Sequence, residues 1–234
     1  MRTLCKIRSK LLLVMTVLGG ALLFHEASAA VTCADMPSSQ LQIFDIKAPV
    51  VHEIEVSKEE LTARDRDEDD LVSRHTLMLS LNHIATWFDI IHRMIPREGG
   101  LVCDAPHSVR MGFGVDQRVV LLARPAAADA CVHQAMLAHE AVHAQALNEA
   151  VDRFIDQHTE EIRRGVIALK ETPAPVEALA KARWEVGLRA MLMSLRPELF
   201  AELRAASART DGSAALATLE DACGGKIRRL ESHD

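Results

Sequence analysis

Leu137-Ala138-His139-Glu140-Ala141-Val142-His143 sits inside a run from Ala126 to Arg164 that holds no Gly and no Pro. Such a run predicts one long α-helix. Residues four apart on a helix lie about 40° apart around its axis and roughly 6 Å along it. His139 and His143 therefore present two imidazoles on one face, close enough to share a metal ion. Glu140 projects beside that pair, where a carboxylate can act as general base on water. Uncharged residues fill and flank the motif (Leu137, Ala138, Ala141, Val142, Ala144), so the helix is expected to be buried around it.

Toward the N-terminus, Asp129 stands where an N-cap of this helix is expected. Arg118 to Ala123 reads as a strand followed by Pro125, and 101–104 and 108–113 read as shorter strands. Leu77, Leu81, Ile84, Phe88, Ile91 and Ile95 recur at three and four, which predicts an amphipathic helix from Leu71 to Ile95 closed by Pro96 and Gly99-Gly100. On it, His75, His83 and His92 are surface or satisfied residues. Asp65, Asp67 and Asp69 hint at a calcium loop, but Asp70 replaces the required Gly and Thr76 the required Glu, which leaves a solvated charge run. Residues 48–56 predict a short strand and Ser57 to Leu61 a small turn of helix.

Toward the C-terminus, the motif helix is expected to run to Leu169, before Thr172-Pro173-Ala174-Pro175. A second helix spans Val176 to Leu195, and Pro197 starts another to about Ala208. Asp211-Gly212-Ser213 is a break, and Ala214 to Leu230 is a last helix. The fold class is α+β, mostly helical, with a small sheet in the first half.

Residues 1–29 read as a secretory signal peptide: Arg2, Lys6, Arg8 and Lys10, an apolar Leu11 to Phe24, then Ala27-Ser28-Ala29. The remaining residues, 30–234, predict a single domain without a membrane anchor, in the periplasm or secreted. Cleavage removes four basic residues and one acidic residue, so the formal charge of −6 becomes −9. That balance argues against nucleic acid as a partner. Cys33, Cys103, Cys131 and Cys223 predict two disulfides with three connectivities open. Cys103–Cys131, pinning the motif helix to the preceding strands, with Cys33–Cys223 tying the ends, is the expectation.

The motif and its setting resemble the zincin metallopeptidases. A Cys near the start of the motif helix and another in Leu219 to Ile227 are further similar to bacterial secreted proteins predicted to be zinc-dependent proteases, over about residues 100–150 and 215–230. The resemblance implies Zn²⁺ on His139 and His143, Glu140 as general base, a peptide or protein substrate, and an edge strand to hold it, for which 118–123 is the candidate. Gln145 departs from the apolar residue many zincins carry.

A third ligand is implied and left open. Glu149 follows His143 by six, as in metzincins, but Ala146 replaces their turning Gly, and an unbroken helix turns Glu149 about 240° away. A gluzincin-like Glu would come from a later helix. Folding back about 173–174 sets residue 143 opposite 204, favouring Glu202, with Glu198 one turn away. Glu185 fits a steeper crossing and ranks equal with Glu202. The chain has no Tyr, so His107, His133, His158 or Arg183 would have to supply the oxyanion donor zincins use. Two functions follow: an exported zinc metallopeptidase, or a non-catalytic periplasmic metal-binding or partner-binding helical protein. A structural domain with a chance motif is the third.

Overall fold

The computed structural model describes residues 33, 36–63, 70–75, 77–169 and 173–232. The expectations for the signal segment 1–29 and the aspartate run Asp65 to Asp69 lie outside those residues. Seven strands are described: β1 (Gln40–Lys47), β2 (Val50–Val56), β3 (Asp70–His75), β4 (Met78–Ile91), β5 (Met94–Pro96), β6 (Val102–Asp104) and β7 (Ser108–Ala123). The helices are α1 (Lys58–Ala63), α2 (Arg124–Ala128), α3 (Ala130–Leu169), α4 (Glu177–Thr210) and α5 (Ser213–Ser232). The α+β class is as expected.

The sheet is built on β7. β1 runs parallel to its first half and β2 parallel to its second, so the two share one flank; β4 pairs antiparallel along the other flank, and β3 is hairpinned to β4. Residues 118–123 are therefore paired on both sides, and the edge-strand role expected for them is excluded. The helix expected over Leu71 to Ile95 is the β3–β4 hairpin instead. α1 starts as expected, with a capping box: Glu60 N donates to Ser57 Oγ (3.1 Å) and Ser57 N to Glu60 Oε2 (2.7 Å).

The phase of β7 changes at a bulge. Gln117 pairs with His83 and Val115 with Ile84, leaving Asp116 unpaired in the ladder. Val109, Met111, Phe113 and Val115 point to the helices before it; after it the even positions do, among them Arg118. One core packs β7 and β4 against Leu147, Val151 and Phe154 of α3 and Trp184, Leu188 and Leu199 of α4. A second joins the far end of β7 to Val132 and Met136 of α3 and Leu219 and Ile227 of α5.

α4 continues through Pro197, where a new helix was expected. Proline removes the hydrogen bond to the carbonyl of residue 193, and Met193 lies on the solvent side at 63% exposure, so that loss falls on the solvated face of the helix. The disulfides are Cys33–Cys103 and Cys131–Cys223, so the expected pairing is wrong. The motif helix is tied to α5, not to the strands: β6 carries Cys103 to Cys33, while the start of α3 meets α5 where Ala222 to Gly225 leave helical φ/ψ and break it.

Candidate metal centre

α3 begins at a side-chain cap. Asp129 Oδ1 accepts from the backbone N–H of Cys131 (3.0 Å) and of Val132 (3.1 Å), as expected for an N-cap. Lys226 Nζ lies 2.7 Å from Asp129 Oδ2. The lysine and the two N–H groups hold the Asp129 carboxyl below its ordinary range, the lysine most.

Two turns on, the helix delivers the pair. His139 and His143 meet with their Nε2 atoms 3.1 Å apart. A third donor joins them: Asp211 Oδ1 lies 2.7 Å from His143 Nε2 and 3.4 Å from His139 Nε2. Tetrahedral zinc with bonds of about 2.0–2.1 Å separates its ligand atoms by about 3.3 Å; the 3.1 and 3.4 Å spacings match one face of such a tetrahedron, and the 2.7 Å between His143 and Asp211 is a hydrogen-bond distance. Two imidazoles and a carboxylate form an ordinary zinc donor set, and these residues are the one group of this kind found among the described residues. The His143 side chain is 1% exposed, His139 10% and Asp211 30%, so the open side faces Asp211. Burial, opposed by Asp211 and reinforced by His139, pulls the His143 pKa below its ordinary value, toward the neutral ring that a metal requires.

Asp211 was not among the candidate ligands, and the helix register explains why. Gly165 faces Met191, Leu169 faces Gly187, and His158 reaches Glu198 at 3.5 Å. The same register brings His143 to the end of α4 at Thr210 and Asp211, about two turns beyond residue 204. The fold-back estimate failed because residues 173–175 leave the helical path to bridge Ala174 with Val102. The first turns of α4 then overshoot α3 and pack on β6, where Trp184 Nε1 donates to Asp104 O (3.1 Å).

The other carboxylates lie outside the group. Glu202 and Glu149 line a groove along the α3–α4 seam, and Glu149 accepts from Gln145 Nε2 (3.0 Å). Glu198 pairs with His158, and Glu185 is exposed on α4 beyond the end of α3. Of the oxyanion candidates, His158 stacks on Phe154 fifteen residues past His143, Arg183 donates to Pro173 O, and His107 is exposed at the start of β7.

Glu140 is buried, 1% exposed, against the sheet. Its Oε1 accepts from Ser80 Oγ (2.8 Å), and its Oε2 has no protein hydrogen-bond partner. Burial pushes its carboxyl pKa up to about 7, while Ser80 and Arg118 pull it down. A carboxyl near 7 can exchange a proton at neutral pH. His75, at the end of β3, faces Glu231 of α5 (Nε2 to Oε1, 3.2 Å) and interacts electrostatically with His139 and Asp211. Burial outweighs the Glu231 charge and lowers the His75 pKa. Ser80, Arg118 and His75 join the site without any linear signal; two of them lay in a stretch read as helix.

Comparison of the chain with protein-family models, with curated proteins and with solved structures finds no match. Among the described residues no helix is long and apolar enough to cross a membrane.

Proposed function

We propose that the chain is an exported zinc-dependent metallopeptidase. The observation that carries this reading is the convergence of His139, His143 and Asp211 within 3.4 Å of one another, one residue from a buried carboxylate. His139 and His143 would ligate through Nε2 and Asp211 through Oδ1, in place of Glu202 or Glu185. A zinc ion held by these atoms would polarise a peptide carbonyl and acidify water. Glu140 takes the proton from the attacking water and returns it to the leaving amine, the part its raised pKa suits. Ser80 fixes the carboxylate through its Oε1. Cys33–Cys103 and Cys131–Cys223 fit an oxidising compartment outside the cytosol.

One observation favours a second reading. Glu140 is closed off at 1% exposure and committed to Ser80, which suits a protein that binds metal without turnover. Zinc content and peptide cleavage of the purified protein separate the readings. Glu140→Gln should keep zinc and lose hydrolysis, whereas Asp211→Ala and His139→Ala should lose both. Retained zinc with no cleavage of a peptide library, and no effect of chelator, supports the binding protein. Absence of zinc after reconstitution defeats both.

A further inference from the structure

Behind the metal group Glu140 and Ser80 join a buried polar cluster whose other members, Arg118 and Asn82, have no part in the proposed chemistry. Arg118 rises from the centre of β7 at 1% exposure. Its Nη1 donates to Ala144 O (3.2 Å) and its Nη2 to Asn148 Oδ1 (2.5 Å), so it grips the turn of α3 that follows His143. Directly across the ladder stands Asn82 of β4. Asn82 Nδ2 donates to Ser80 Oγ (3.0 Å), and Ser80 Oγ donates to Glu140 Oε1 (2.8 Å). The Arg118 and Glu140 charges interact, yet both terminal nitrogens of the arginine are committed to α3 and one glutamate oxygen to Ser80.

Three buried atoms of this cluster have no protein partner: Arg118 Nε, Asn82 Oδ1 and Glu140 Oε2. The first donates and the other two accept. Buried polar groups left unmade are costly, more so when charged. One water accepts from one group and donates to two others, which matches this set. We infer that Arg118 is a positioning residue of the centre, holding the Glu140 carboxylate through one internal water seated between Arg118 Nε, Asn82 Oδ1 and Glu140 Oε2. The bulge at Asp116 is what turns Arg118 to this face. Arg118 thus sets both the rotation of α3, through Ala144, and the direction of the carboxylate. Its purpose rests on the zinc reading; the link itself does not.

The test is a double-mutant cycle between Arg118→Met and Glu140→Gln on metal-free protein, read by thermal denaturation, with zinc affinity measured alongside by competition with a chromophoric chelator. A plain structural pin loses the same stability whether residue 140 is charged or neutral. A charge link predicts that Arg118→Met lowers Tm by roughly 5 °C more in the wild-type background than in the Glu140→Gln background. Zinc affinity should fall about 10-fold, because Arg118 holds the turn of α3 that follows His143. Should Arg118→Met not fold, Arg118→Lys keeps a cation near Ala144 without an Nε donor and should give a difference of the same sign. Equal Tm losses in the two backgrounds overturn the inference, as does a crystal structure with no ordered water within hydrogen-bond reach of the three atoms. Coupled losses in a protein that binds no zinc would defeat the zinc reading and leave the Arg118–Glu140 link standing. Tight zinc in every variant with additive losses would do the reverse.

Discussion

At the scale of single residues, Glu140 carries the most unusual balance. Its carboxyl belongs near 4.5 in the unfolded chain and is pushed up to about 7 in the fold, chiefly by burial. Below the lower value both states are protonated and the shift costs nothing. Between the two, the unfolded chain gives up its proton while the folded one keeps it, so stability falls as pH rises; above the higher value the loss levels off. At about 1.4 kcal/mol per pKa unit the full loss is roughly 3 kcal/mol. Chelator-treated Glu140→Gln should therefore match the wild type at pH 4 and exceed it by about that amount at pH 8, measured by urea unfolding. A constant difference across that range would show that Glu140 is not buried as a neutral acid. The two histidines and this glutamate were legible in the sequence because a helix fixes their relative placement within one turn. Asp211 was not, although its own segment, Asp211-Gly212-Ser213, was legible as a break. Its approach depends on the register of two helices of 40 and 34 residues, and a seven-residue misjudgement of the crossover moves the partner by about 10 Å along the axis. Local rules do not fix that distance.

At the scale of elements, β4 and β7 show how a site disguises the strands that support it. An inward face of a strand normally reads apolar at every second residue. On β4 that face runs Met78, Ser80, Asn82, Ile84, and the two polar members serve Glu140. Leu79 is also buried, on the opposite face. What remains apolar, at 77, 81, 84 and 88, falls into helical spacing by accident. β7 was legible in two pieces, 108–113 and 118–123, because Val, Met, Phe and Leu dominate them and Pro125 follows, but its flanks were not legible: the parallel partners come from residues 40–56, far upstream. Gly114 marks the point where β1 presses closest. Its φ is +150°, and a Cβ there would stand 2.2 Å from Ile46 O, a backbone atom held in the ladder. Gly114→Ala should thus cost about 3 kcal/mol or more, lowering Tm by roughly 6–12 °C in a domain of this size. Gly212→Ala is the control. The nearest atom to its Cβ is Arg209 O at 3.3 Å, with an ordinary φ, so its Tm should move little. Similar losses for the two variants would mean that β1 is free to yield.

At the scale of the whole molecule, the two disulfides differ in kind although their chain-entropy effects are alike. They close loops spanning 70 and 92 positions, which constrain the unfolded chain by about 4.5 kcal/mol each in the entropic account. Access separates them. Cys33 and Cys103 are fully buried, whereas Cys131 is exposed at the start of α3 and Cys223 is partly exposed in the break of α5. A thiolate must reach the sulfur it attacks, so mild reductant should open Cys131–Cys223 first. The consequence is local. α5 hangs between two attachments: the Asp211 turn at one end, and at the other Cys223, Lys226 on Asp129 and Glu231 on His75. Cutting the covalent attachment leaves the exposed Lys226–Asp129 pair, worth little alone, the Glu231–His75 pair and the buried Leu219 and Ile227 to keep α5 in place. The main core, built from β4, β7, α3 and α4, contains neither cysteine. Partial reduction followed by thiol mapping should find Cys131 and Cys223 labelled while Cys33 and Cys103 are protected, with far-ultraviolet circular dichroism nearly unchanged and, under the proposed zinc function, zinc affinity reduced, because Asp211 is no longer braced from its C-terminal side. The variant Cys131→Ser/Cys223→Ser should reproduce that loss without reductant. Zinc affinity unaltered in both would show that the end of α4 alone fixes Asp211, and that the clasp serves only the stability of α5.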